Sequence, residues 1–87
     1  MSRIGTIKHF VIEEFLPDVS ANELSVEYDL LENGVIDSLG LLKLIAWIEE
    51  RFELSVHDTD LDPANFHSVA AINSFIDDAS EQKLAGI

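Results

Sequence analysis

Apolar residues return every three or four positions in three stretches of the chain, and each stretch predicts an amphipathic helix. The first runs from about Arg3 to Leu16, with Ile4, Ile7, Val11 and Phe15 on one face and Phe10 beside them. Pro17 ends it, because the residue before a proline is pushed out of helical geometry. The second has the strongest period: Leu41, Leu44, Ile45, Ile48 and Phe52 recur between Ser38 or Leu39 and Phe52, and either Asp37 or Ser38 can cap it. Leu39, Leu42 and Trp47 widen its apolar surface beyond one stripe. Two readings follow, a largely buried central helix or one that keeps Leu39 and Leu42 partly exposed for a partner. The third starts after a capping Ser68 and runs to about Asp78, with Val69, Ile72, Phe75 and Ile76 inward. Ser80 to Ile87 read as a frayed, flexible tail.

Between the first two helices lies a long connection, Asp18 to Asp37, with enough apolar side chains (Leu24, Val26, Tyr28, Leu30, Leu31, Val35, Ile36) to pack on a core. Ser20 to Glu23 has the spacing of a capping box, enough to start one helical turn, and Asn33-Gly34 signals a turn. Pro63 after Asp62 suits the first turn of a short fourth helix. No strand-period segment competes. The prediction is an all-α domain spanning residues 1–87, a small four-helix bundle of three longer helices and one short one, with a long first loop.

Charge narrows the partners. Seventeen acidic residues against five Lys and Arg leave a net charge of -12, which repels nucleic-acid phosphates and anionic lipid and favours partners with basic patches. The chain has no cysteine, hence no disulfide, thiolate metal site or cysteine nucleophile of its own. It shows no signal-peptide run and no transmembrane stretch, so a cytoplasmic monomer is expected.

Ser38 stands in Gly-Val-Ile-Asp-Ser-Leu-Gly. A nucleophile elbow needs glycine where Ile36 stands, and a Ser-x-x-Lys motif needs lysine where Leu41 stands. Nothing in the sequence brings His9, His57 or His67 to Ser38 as a triad would require. Asp58, Asp60 and Asp62 alternate like the start of an EF-hand loop, but Pro63 and Val69 occupy the glycine and glutamate positions. A solvated charge cluster is the better reading of that loop, with weak divalent-ion binding left open. Ser38 itself retains two readings: a plain helix cap, or a hydroxyl at a helix start, where free N–H groups and partial positive charge suit an attached phosphodiester.

From Leu30 to Phe52, Leu-Leu-Glu-Asn-Gly-Val-Ile-Asp-Ser-Leu-Gly-Leu-Leu-Lys-Leu-Ile-Ala-Trp-Ile-Glu-Glu-Arg-Phe closely resembles the acyl carrier protein family, peptidyl carriers included. The likeness extends to the first helix and to Asp-Pro-Ala-Asn-Phe-His-Ser-Val-Ala-Ala-Ile near the C-terminus. It implies a non-catalytic carrier whose Ser38 receives 4'-phosphopantetheine from coenzyme A through a phosphopantetheinyl transferase. Cargo would ride as a thioester on sulfur that the cofactor supplies. A cargo-loading ligase or acyltransferase and a downstream synthase or transferase complete the expected partners. By position, Asp37 and Leu39 match the residues flanking the family's modified serine, and Leu42, Ala46 and Glu50 fall where relatives meet partner enzymes.

Two positions depart from fatty-acid-type carriers: Gly40 stands where Asp is usual, and Lys43 where many have Glu. Both remove negative charge beside the serine. The site also lacks the double glycine of many peptidyl carriers, and it looks more like free-standing carriers of polyketide or nonribosomal peptide type. The rival reading is an unmodified acidic interaction module that docks through Leu39, Leu42 and Trp47.

Overall fold

A computed structural model describes residues 3–57 and 61–85. Three α-helices carry the fold: α1 (Arg3–Phe15), α2 (Ser38–Phe52) and α3 (Val69–Ala85), with 3₁₀ turns at Ala21–Glu23 and Pro63–Asn65. No strand occurs among the described residues. The core takes Ile7 and Val11 from α1, Leu44, Ile45 and Ile48 from α2, and Val69, Ile72 and Ile76 from α3. These are the inward positions that the helical period selects. Burying each such side chain stabilises the fold by about 1.5–3 kcal/mol.

The long connection is part of that core. Leu24, Leu30 and Ile36 are all buried, whereas Tyr28, expected to join them, is 42% exposed. Main-chain bonds join the connection to the start of α3, from Leu30 N–H to the His67 carbonyl (2.6 Å) and from Ala70 N–H to the Val26 carbonyl (2.8 Å). Asp29 Oδ1 accepts from the N–H groups of Glu32 (2.8 Å) and Leu31 (3.1 Å), which folds the chain back locally. Gly34 follows at φ +73°, a conformation that costs little without a Cβ.

Three expectations need correction. The short fourth helix is one three-residue 3₁₀ turn, Pro63–Asn65, with Asp62 Oδ1 accepting from Ala64 N–H at 2.9 Å. Three residues provide only one such turn before Phe66 drops into the core. The Ser20–Glu23 capping box does not form: Ser20 Oγ donates to Glu23 Oε1 (3.0 Å) and leaves the backbone N–H groups of the turn to main-chain bonds. Finally, α3 continues through residues 80–85, where the sequence predicts a tail. Glu81, Gln82, Lys83, Leu84 and Ala85 are all good helix formers, and the first breaker is Gly86. Gly86 and Ile87, like Asp58 and Asp60 of the acidic loop, lie outside the described residues.

Candidate functional site

The start of α2 resolves which residue caps it. Asp37 has extended backbone angles (φ -97°, ψ -171°), and its Oδ1 accepts from Gly40 N–H at 2.7 Å. Its carbonyl accepts the first helical bond, from Leu41 N–H at 2.8 Å. Asp37 is therefore the cap, and Ser38 is the first helical residue. That removes the plain capping role for Ser38. Its side chain is exposed, and among the described residues its hydroxyl has no hydrogen-bond partner.

Neither histidine with a located partner serves Ser38. His9 Nε2 lies 3.0 Å from Glu13 Oε1 on α1, and His67 Nδ1 lies 2.9 Å from the Ala64 carbonyl oxygen. No group of three or more potential metal ligands occurs among the described residues. The start of α2 thus offers a projecting hydroxyl. It also offers the N–H groups of Ser38 and Leu39, left over once the Asp37 carboxylate takes that of Gly40, at the start of a 15-residue helix, where negative charge is favoured.

Counted from Leu39, the residue after Ser38, Leu42, Lys43, Ala46 and Glu50 recur at spacings of three and four, which puts the five on one face of α2. All five are exposed, as is Asp37. Leu39 is 77% and Leu42 61% exposed, which decides between the two readings of this helix. A side chain of that size left so open gains nothing from the core, so the face is available to something else. Trp47 does not join it. Its ring stacks on Phe10 of α1 (centroids 4.2 Å, 12°) and meets the edge of Phe52 (5.6 Å, 88°), so the half-buried Trp47 belongs to the seam between α1 and α2.

Gly40 and Lys43 acquire causes that sequence reasoning missed. Gly40 is buried, and a Cβ there would sit 2.9 Å from Phe15 Cε1, 3.2 Å from Asp37 Oδ1 and 3.3 Å from Ile36 Cγ2. A side chain at this position would force the Phe15 ring to shift. Lys43 Nζ lies 2.7 Å from Glu14 Oε2, across the seam between α1 and α2. The two departures read as missing negative charge are matched by two adjacent residues at the end of α1. Only a contact between distant segments carries that signal.

The bundle holds the exposed Ser38 hydroxyl out at the head of α2. The chain belongs to the phosphopantetheine attachment site family, whose model matches residues 11–76, and is thereby a carrier protein with covalent 4'-phosphopantetheine as its cofactor. The chain resembles the solved structure described as "Structure of KstB-PCP(apo)" with a TM-score of 0.79 and 48% identity, over 92% of this chain and 88% of that one. The "Solution Structure of KstB-PCP in kosinostatin biosynthesis" gives 0.66 and 49%, over 91% and 89%. Two D-alanyl carrier proteins of Streptococcus suis, strains 98HAH33 and 05ZYH33, are 41% and 39% identical over 51 residues. Those 51 residues are 59% of this chain and 61% of the length of these relatives. No helix among the described residues is long and apolar enough to cross a membrane.

Proposed function

We propose that Ser38 is the attachment residue, and that the chain carries aminoacyl or acyl groups as thioesters between enzymes of a specialised biosynthetic pathway. The observation behind this reading is the division of labour at the head of α2. Asp37 takes the cap, so the Ser38 hydroxyl is exposed and unengaged. The attached group supplies a thiol on a long arm, the one reactive function that a chain without cysteine lacks. The protein's own part is to hold the attachment point rigid at a helix start, to place the phosphodiester near free N–H groups, and to offer Leu39 and Leu42 to successive enzymes. It performs no chemistry itself.

KstB-PCP, matched over nearly the whole chain, comes from kosinostatin biosynthesis, which favours the peptidyl-carrier type over the D-alanyl type matched over 51 residues. Intact-mass measurement after incubation with coenzyme A and a broad-specificity phosphopantetheinyl transferase tests the assignment. One phosphopantetheine is expected on the wild-type chain and none on Ser38→Ala. An unmodified wild type, or a Ser38→Ala chain that still gains the group, refutes it.

A further inference from the structure

Asn33-Gly34, a turn that the carrier reading leaves without a task, has reactive chemistry of its own. Of the four asparagines in the chain, only Asn33 is followed by glycine. Glycine has no Cβ to shield its backbone nitrogen, so that nitrogen can close on the preceding side-chain amide more readily than in any other pair. Both residues are exposed, and beyond its chain neighbours nothing lies within 4 Å of where a Gly34 Cβ would stand. Water and base can therefore reach the pair.

The fold holds both reacting groups to other partners. Asn33 Nδ2 donates to the Asp29 carbonyl at 2.7 Å, alongside the Asn33 N–H at 3.2 Å, and the Gly34 N–H donates to the Leu31 carbonyl at 3.1 Å. The Asp29 carboxylate supports the same loop through the N–H groups of Leu31 and Glu32. A bond from Ile36 N–H to the Leu30 carbonyl (3.0 Å) closes it. While these bonds stand, the Gly34 nitrogen keeps its proton and the Asn33 side chain is turned back on Asp29.

We propose that Asn33-Gly34 is a self-modification site, a deamidation site that the folded connection keeps shut and that reacts only when this turn opens. In the open turn the Gly34 nitrogen gives its proton to base and attacks Asn33 Cγ. The Cγ–Nδ2 bond breaks, and the nitrogen takes up a proton and leaves as ammonia. Water then opens the cyclic imide at either carbonyl. One opening leaves aspartate at position 33; the other leaves isoaspartate, whose main chain runs through the former side chain and is longer by a methylene. Neither carboxylate can donate to the Asp29 carbonyl as Nδ2 does, and both add negative charge to a chain already at -12. The longer main chain also shifts Ile36, two residues before Ser38, away from its bond to Leu30.

The full-length chain, aged at mildly alkaline pH with and without guanidinium chloride, is digested and mapped by mass for the exchange of ammonia for water. In denaturant Asn33 should convert ahead of Asn22, Asn65 and Asn73, and Gly34→Ala should slow it. In the folded chain Asn33 should convert at least roughly tenfold more slowly than in denaturant. Asp29→Ala keeps the dipeptide but removes both carboxylate bonds, so it should speed conversion several-fold in the folded chain and leave the rate in denaturant unchanged.

Circular dichroism verifies that Asp29→Ala is folded. Should that variant not fold, wild type in guanidinium below its unfolding transition reads the same opening, and its rate should rise before the helices melt. Equal rates in folded and unfolded wild type would show that the turn guards nothing and overturn the proposal. Conversion of Asn33 no faster than that of the other asparagines in denaturant would remove the site itself. A folded Asp29→Ala chain that reacts as slowly as wild type would overturn the gate.

Discussion

Gly40→Ala puts two effects of known sign in opposition. Alanine in place of glycine within a helix stabilises by about 1 kcal/mol, because less backbone freedom is lost on folding. Against this, the new methyl would lie 2.9 Å from Phe15 Cε1, closer than carbon atoms tolerate. Phe15 cannot swing away freely, since its ring meets Phe10 edge-on (6.2 Å, 82°) and packs against the core. Overpacking of this kind costs about 1–3 kcal/mol. A middle value of about 2 against a gain of about 1 leaves a net loss of about 1 kcal/mol. That corresponds to a fall in Tm of roughly 4–8 °C for a domain of this size.

Leucine at position 15 has no atom where Cε1 lies. In a Phe15→Leu background the steric cost is relieved and Gly40→Ala should become neutral or stabilising. Urea unfolding of the four chains, followed by far-UV circular dichroism, gives the cycle directly. A coupling of about 1–2 kcal/mol in favour of the double variant is expected. If Gly40→Ala stabilises the wild type as much as it does the Phe15→Leu chain, Phe15 does not dictate the glycine, and the steric account of position 40 is wrong.

Asp37→Ala removes the cap and should cost about 1 kcal/mol in urea unfolding, with Asp37→Asn retaining most of it; equal losses in the two would refute the capping role. Ser68→Ala should cost a similar amount, since Ser68 is buried and its Oγ accepts from Ala71 N–H at 3.1 Å. Ser20→Ala, whose hydroxyl meets only the exposed Glu23 carboxylate, should stay within about 0.5 kcal/mol. Leu39→Ala and Leu42→Ala should leave stability within about 0.5 kcal/mol while slowing phosphopantetheine loading; a large stability loss would mean that these side chains pack more than their exposure states.

The three helices were legible because each buries one stripe, and a stripe of period 3.6 is visible in any single segment. Ile7, Val11, Leu44, Ile48, Ile72 and Ile76 all sit where that period puts them. The limits of the elements were harder. Asp77-Asp78-Ala79-Ser80 loses the apolar stripe, which suggested an end, yet α3 needs only good helix formers to continue past its contact with the core. Asp37 and Ser38 are equally good caps by residue type, and the choice falls on Asp37 through the backbone angles at the end of the connection. Lys43 and Gly40 looked like choices about charge alone. Their partners Glu14 and Phe15 are some 25 or more positions away in the chain, and no local pattern couples such positions. The exposed character of Leu39 and Leu42 was open between two readings for the same reason: periodicity gives a face, and only the packing of the other helices tells which face is covered.

The stack of Trp47 on Phe10 has a practical consequence. Trp47 is the only tryptophan in the chain, and it sits in the seam between α1 and α2, with Phe10 on one side and Phe52 at its edge. Its emission therefore reports on one place, the joint where α1 braces the helix that begins at Ser38. A cargo that wedges the two helices apart would change the intensity and wavelength of that emission; one that stays outside in solvent would leave the spectrum as it was. The molecule contains its own optical gauge of where its load resides.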